Sequence, residues 1–235
     1  MFKYHPNRGG FKGDNKMGKK IKYRLSKEYD LLCFSNIYQQ VNDFLSEKGI
    51  SSNLKQGWLG KLKGTTRNTS TTYGDIDLEI YFRLPGIGPW GRLCFNLEFD
   101  ESNGIPNQRK KADNLIGLLA KFNPKNIETG NDKRTIHLSK QHRTKNFWNP
   151  DSYDGIFPII KDYLLKHDIA SREKLAKPRK YIQGTKGSMD IEVHVNRWPR
   201  WGTINYDIKF KDSLGERKKA DNIIALLAKL NPEYI

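Results

Sequence analysis

Asp190, Asp207 and Lys209 form the sharpest chemical pattern in this 235-residue chain: an aspartate and, seventeen residues later, the string Asp-Ile-Lys. Two carboxylates can hold Mg2+, and a lysine beside them can orient an attacking water, which is the equipment of metal-assisted phosphodiester hydrolysis. An earlier stretch of related sequence does not repeat the pattern; it reads Asp77 and then Asn96-Leu97-Glu98. Asp-x-Lys also arises by chance on any polar strand face, so solvated or phosphate-facing strand charges are the plainer reading.

A second group of candidates is basic. Arg109-Lys110-Lys111 and Arg217-Lys218-Lys219 each open a segment with an apolar stripe at helical spacing. Cations at a helix N-terminus oppose the macrodipole at a cost of up to ~1 kcal/mol each. Their presence twice points to phosphate as a compensating partner; inheritance without use is the alternative. Trp198 and Trp201 alternate with Arg197 and Arg200 in "NRWPRWG". Such a turn can stack on bases or ribose, or the tryptophans can close the end of a core. The five histidines, at 5, 137, 142, 167 and 194, show no zinc-type spacing. No structural metal and no cofactor is expected, apart from Mg2+ if the acidic pattern belongs to a nuclease.

Forty-two Lys and Arg against 26 Asp and Glu leave a net charge of +16, a field that draws in phosphate polymers or anionic membranes. No apolar run approaches the roughly 18–20 residues that span a bilayer, so nucleic acid, not membrane, is the expected partner. Cys33 and Cys94 are too few for a disulfide framework, which points to a reducing, intracellular compartment; an organelle such as the mitochondrion and a bacterial or phage cytoplasm both fit. There is no GxxxxGK loop and no GxGxxG after a strand, and "PGIGPWG" (85–91) reads as a hairpin turn.

These residues are carried by a repeat. "QRKKADNLIGLLAKFNP" (108–124) returns as "ERKKADNIIALLAKLNP" (216–232), identical at thirteen of seventeen positions. In the first, Ala112, Leu115, Ile116, Leu119 and Phe122 make one apolar stripe, and Asn123-Pro124 ends the helix. Upstream, "DIDLEIYFRL" and "RLCFNLEFD" alternate as a hairpin with one wet face, and "SMDIEVHV" and "TINYDIKFK" do the same before the second helix, with Asp77/Asp190 and Glu79/Glu192 in register. Residues 1–27 read as a flexible basic arm and 28–48 as a helix; 125–139 as two short strands; 152–169 as a helix with Pro158 in or near its first turn. The expected architecture is α+β: an internal duplication, two units of antiparallel sheet with helices packed on one face. The first unit spans 28–166 and the second 167–235, shorter at its C-terminus.

In order of elements each unit resembles half of a LAGLIDADG homing endonuclease. "GWLGKLKG" (57–64) and "YIQGTKGS" (181–188) sit where that family's helix leads into the first strand, and "IFPIIKDYLL" (156–165) resembles its Phe/Pro-containing third helix. The resemblance implies a saddle of strands over nucleic acid and one metal-binding acid per unit before the closing glycine. Lys63 and Lys186 stand there instead. Ammonium groups repel Mg2+ and attract phosphate, so the resemblance implies a protein that binds without cutting, as an intron-splicing factor or an organellar ribosomal protein does. Two other families compete. "SLGERKKADNIIALLAKL" is similar to the last helix of a double-stranded-RNA-binding domain, where lysines straddle phosphates, though Asp221 stands where its last lysine should be. Asp190, Asp207 and Lys209 resemble a PD-(D/E)xK nuclease. The favoured function is non-catalytic binding of structured nucleic acid, RNA before DNA, within a ribonucleoprotein. The expected contacts are Arg109, Lys110, Lys111, Arg217, Lys218, Lys219, Lys63, Lys186, Arg197, Arg200, Trp198 and Trp201. The alternatives are a Mg2+-dependent endonuclease and a tandem double-stranded-RNA-binding protein.

Overall fold

A computed structural model describes residues 20–30, 33, 36–50, 62–65, 76–83, 90–100, 107–125, 127, 132–143, 151–176, 179–198 and 201–231. The first nineteen residues of the expected arm, residues 57–61, most of the 85–91 turn and Arg200 lie outside the described residues. The first unit comprises β1 (Lys20–Asp30), α1 (Ile37–Glu47), β2 (Leu62–Thr65), β3 (Asp77–Arg83), β4 (Trp90–Asp100) and α2 (Asn107–Ala120). The second comprises β5 (Lys133–Arg143), α3 (Asp151–Lys166), β6 (Ala170–Ala176), β7 (Arg179–Lys186), β8 (Met189–Trp198), β9 (Trp201–Lys211) and α4 (Leu214–Leu227). Nine strands form one antiparallel sheet in the order β2-β3-β4-β1-β5-β9-β8-β7-β6. The fold is α+β and internally duplicated.

The strands follow from strict alternation. On β1 the residues Ile21, Tyr23, Leu25, Lys27 and Tyr29 are buried, and Lys20, Lys22 and Arg24 between them are exposed. The lysines and arginines of the wet face hide this period of two, so residues 20–27 belong to a central strand and not to a flexible arm. The helix expected from residue 28 begins at Ile37. Residues 133–143 form the strand β5, where the second of the two expected short strands lies; most of the first falls outside the described residues. β1 and β5 are twins: they pair with each other across the centre of the sheet, Leu25 opposite Leu138. The unit boundary therefore falls between α2 and β5, and α3 belongs to the second unit.

The repeated helical word has an internal explanation. Lys27 and Lys140 are completely buried behind the sheet. The Lys27 ammonium donates to the carbonyls of Ala120 (2.6 Å) and Phe122 (2.7 Å) at the end of α2 and pairs with Asp221 of α4 at 2.6 Å. Lys140 donates to the carbonyls of Ala228 and Leu230 (3.0 Å) at the end of α4 and pairs with Asp113 of α2 at 2.8 Å. Asn123 donates to Asp221, and Asn231 to Asp113. Each lysine closes the negative end of its own unit's helix and neutralises an aspartate of the other unit's. The start of α2 thus meets the chain just beyond α4, and the reverse, so the two helices run antiparallel. Gly117 faces Ala225 where they cross.

Candidate functional site

The apolar core side chains of the strands pack with the helices, and the buried Tyr81 and Cys94 line the other face. The other face carries the intervening residues, and no described helix covers it. Its centre is a hollow of about 670 Å³ lined by Lys20, Lys22, Arg24, Asn96, Glu98, His137, Ser139, Gln141, Thr203 and Asn205. Lys20 and Lys22 make exposed ion pairs of 2.9 Å with Asp77 and Glu98, contacts worth about 0–1 kcal/mol that a phosphate can displace. Arg24 donates from Nε to Asn96 Oδ1 at 3.0 Å, and neither terminal guanidinium nitrogen has a partner among the described residues. A smaller hollow of about 270 Å³ adjoins it, lined in part by Arg83, Arg92, Tyr81 and Asp207.

In the second unit the same face is acid- and imidazole-rich. His137 Nδ1 and Asp207 Oδ1 are 2.7 Å apart, Lys209 donates to Glu192 Oε1 at 2.9 Å, and His194 Nε2 stands 3.5 Å from Glu192 Oε2. Burial pushes the Asp207 carboxyl up, but the hydrogen bond and charge of His137, with His194 and Lys209 behind it, hold it below the usual carboxylate range. The hydrogen bond to Glu192 raises Lys209 against its partial burial. Tyr181 stacks on His194 with ring centroids 5.1 Å apart.

Strand pairing gives the correspondence between units. Ile80 faces Phe95 as Val193 faces Tyr206, and Leu93 faces Lys27 as Ile204 faces Lys140. Asp77 therefore matches Asp190, Glu79 matches Glu192, Tyr81 matches His194, Asn96 matches Asp207, Glu98 matches Lys209 and Arg24 matches His137. Asp190, Asp207 and Lys209 do share one face. Asp190 is opposite Lys209 and Asp207 opposite Glu192, while Asp190 lies toward Lys133 at 3.8 Å.

The other expected contacts are scattered. Arg217 is only 1% exposed: it donates to the Glu28 carbonyl at 3.0 Å, pairs with Asp212 and lies over the Tyr29 ring. It is committed to the interior and is corrected from a phosphate contact to a packing residue. Arg109 donates to Tyr23 Oη at 3.1 Å and meets His142 Nδ1 at 2.8 Å, also behind the sheet. Lys110, Lys111, Lys218 and Lys219 stay on the helix side, Lys219 paired with Glu216 at 2.8 Å. Lys63 and Lys186 are on β2 and β7, not on a helix. β2 pairs with β3, and the left-handed Gly187 (φ 61°) after Lys186 turns β7 into β8 as a hairpin. Lys186 donates to the His167 carbonyl at 2.6 Å. Arg197 and Trp198 end β8 and Trp201 begins β9, with Trp198 opposite Trp201. Sequence reasoning passed over Arg24, His137 and His194. The signals were the strings "LSK" at 25–27 and 138–140 and "WG" at 90–91 and 201–202, which register the strands of the two units.

No family model matches the chain, and no curated protein matches it. Among solved structures, the di-domain ARO/CYC BexL from the BE-7585A biosynthetic pathway is 9% identical at a TM-score of 0.27, over 91% of this chain and 100% of that one. An unknown protein from Galdieria sulphuraria is 12% identical at 0.18, over 88% and 92%. Scores this low assign neither fold nor function.

Proposed function

We propose that the protein binds structured nucleic acid, RNA in preference to DNA, over the open face of its sheet, and that it does so without catalysis, as part of a ribonucleoprotein. The central hollow carries this reading. Lys20, Lys22 and Arg24 offer charge to phosphates, and Asn96, Ser139, Gln141, Thr203 and Asn205 offer amides and hydroxyls to base edges and 2′-hydroxyls. The major groove of B-DNA, roughly 12 Å wide, admits a helix or a two-stranded ribbon. A nine-stranded face is too broad for it and suits bases splayed from loops or single strands. A sheet laid over the polymer is also what the LAGLIDADG resemblance implies, although Lys63 and Lys186, at the places of that family's acids, lie on strands.

One observation favours a second reading. The first unit contains helix, three strands and helix (α1, β2, β3, β4, α2) in the order of a double-stranded-RNA-binding domain, the second adds a fourth strand between α3 and α4, and Lys110, Lys218 and Lys219 lie exposed on the helix side. Anisotropy titrations of duplex RNA, stem-loop RNA and duplex DNA with Lys22→Glu, Arg24→Glu, Lys110→Glu and Lys218→Glu variants separate the two. A charge-assisted contact is worth about 1.5–3 kcal/mol, so Lys22→Glu and Arg24→Glu should each weaken RNA binding roughly tenfold or more. A loss confined to the helix-side variants would transfer the interface to the double-stranded-RNA mode. Affinity that ignores salt would remove nucleic acid altogether.

A further inference from the structure

We infer that the open face of the second unit is a divalent-cation site whose protein ligands are Glu192, His194 and Asp207. One ligand atom from each lies within 4.8 Å of the other two. Ligands bound at about 2.0–2.2 Å stand roughly 3–3.6 Å apart, so small side-chain rotations bring the three onto one ion. The neighbours hold the ligands in the right sense. Lys209 takes Glu192 Oε1 and leaves Oε2 turned toward His194 Nε2. His137 takes Asp207 Oδ1 and leaves Oδ2 for a metal. A ligating carboxylate oriented by a second hydrogen-bonding group is the usual construction of a metal centre.

One imidazole nitrogen and two carboxylate oxygens select Mn2+, Zn2+, Co2+ or Fe2+ over Ca2+ and Mg2+, which favour oxygen-only shells. Three protein ligands leave positions open for water or a phosphate oxygen. Asp190 is not in the set, because it lies toward Lys133 and beside Lys209. The first unit cannot form the site: Tyr81 and Asn96 replace the imidazole and one carboxylate, and Arg24 brings a fixed cation to the place of His137.

The role of the ion rests on the proposed nucleic-acid function. A phosphate chain leaving the basic hollow at Lys22 and Arg24 next meets Asp207, Glu192 and Asp190. A bound cation there turns repulsion into a bridge.

The test separates the two claims. Chain freed of metal with EDTA and then desalted is titrated without nucleic acid, with Co2+ followed by visible absorption and Mn2+ by electron paramagnetic resonance. One saturable equivalent is expected. It should be lost in Glu192→Gln, His194→Gln and Asp207→Asn, weakened about 10–100-fold in His137→Ala, and kept in Asp190→Asn and Glu79→Gln. All these side chains are partly exposed, and circular dichroism confirms that each variant is folded. No saturable binding, or binding that survives in both Glu192→Gln and His194→Gln, overturns the proposal. Stem-loop RNA binding is then measured with EDTA and with Mn2+. Strengthening by Mn2+ that His194→Gln abolishes supports the bridge. Strengthening that persists in His194→Gln overturns it. Co2+ binding in a chain that binds no RNA under either condition leaves the metal site standing and removes the proposed function.

Discussion

Behind the sheet, Lys27, Asp221 and Asn123 mirror Lys140, Asp113 and Asn231 contact for contact. On the open face, Arg24, Tyr81 and Asn96 stand where His137, His194 and Asp207 stand in the other unit. Both surfaces arose from the same duplication, and the difference lies in what each residue is tied to. Each buried ammonium needs a carboxylate from the other unit, so a change in one unit strands a charge in both. On the open face the ion pairs of Lys20, Lys22, His137 and Lys209 stay within their own unit, the side chains of Gln141 and Glu28 reach across only to backbone amides of the other unit, and each copy was free to take up a different chemistry. The repeated word "RKKADN…NP" therefore records an internal constraint.

The largest effect is expected from breaking the reciprocity. Lys27→Met leaves Asp221 buried and unpaired and strips the end of α2 of two hydrogen bonds. Removing one partner of a buried pair costs about 3–5 kcal/mol. Urea unfolding should show Lys27→Met and Lys140→Met destabilised by similar amounts, with Asp221→Asn recovering part of the loss in the Lys27→Met background. A large cost at one lysine and almost none at its twin would end the equivalence.

The divergence of the open face can be reversed. Arg24→His, Tyr81→His and Asn96→Asp together give the first unit the imidazoles and carboxylate of the second, with Glu79 already in place. Cobalt titration of the triple variant should saturate at two equivalents against one for the parent. If it still saturates at one, the placement of the ligands differs between the units by more than their residue types.

The pair of lysines also sets a pH dependence. Burial pulls both ammoniums down to about 8, against the raising influence of Asp221 and Asp113. Below about pH 8 they are charged in folded and unfolded chains alike, and the full cost of burying them is present. Between about 8 and the ordinary lysine value of roughly 10.4, the unfolded chain binds these protons more tightly, so stability rises with pH across that window. Thermal melts at pH 7.5 and 9.5 should show the rise in the parent and a reduced one in Lys27→Met. A parent that loses stability steadily from 7.5 to 9.5 contradicts it.

The sequence carried the duplication, the two hairpins and the repeated helices because apolar residues recur there at periods of 2 and 3.6. It hid β1, where Lys20, Lys22 and Arg24 alternate with Ile21, Tyr23 and Leu25 inside what composition reads as a basic tail. It pointed to Asp190, Asp207 and Lys209 on one face, but which neighbour each carboxylate faces depends on strand register. A shift of two residues exchanges Asp190 for Glu192 as the partner of Asp207 without changing the pattern. The basic triplets misled for a related reason: periodicity finds the apolar stripe of a helix but does not say that Arg217 can lie along it with its guanidinium on Tyr29.

The smallest expected effect concerns the one mismatch at the crossing of α2 and α4, Gly117 against Ala225. A Cβ added at Gly117 would meet Ala225 Cβ at 3.7 Å, its Cα at 3.8 Å and its carbonyl oxygen at 3.8 Å, ordinary van der Waals contacts that need no backbone movement. Glycine inside a helix costs about 0.8–1.0 kcal/mol relative to alanine, chiefly through the freedom it has in the unfolded chain. Gly117→Ala should therefore stabilise the protein by about 0.4–1 kcal/mol, and Ala225→Gly should destabilise it by a similar or larger amount, since it also removes a packed methyl group. Urea midpoints measured side by side give both numbers. If Gly117→Ala destabilises, the helices approach more closely than the crossing allows for two alanines, and the glycine is a requirement of the packing on that side alone.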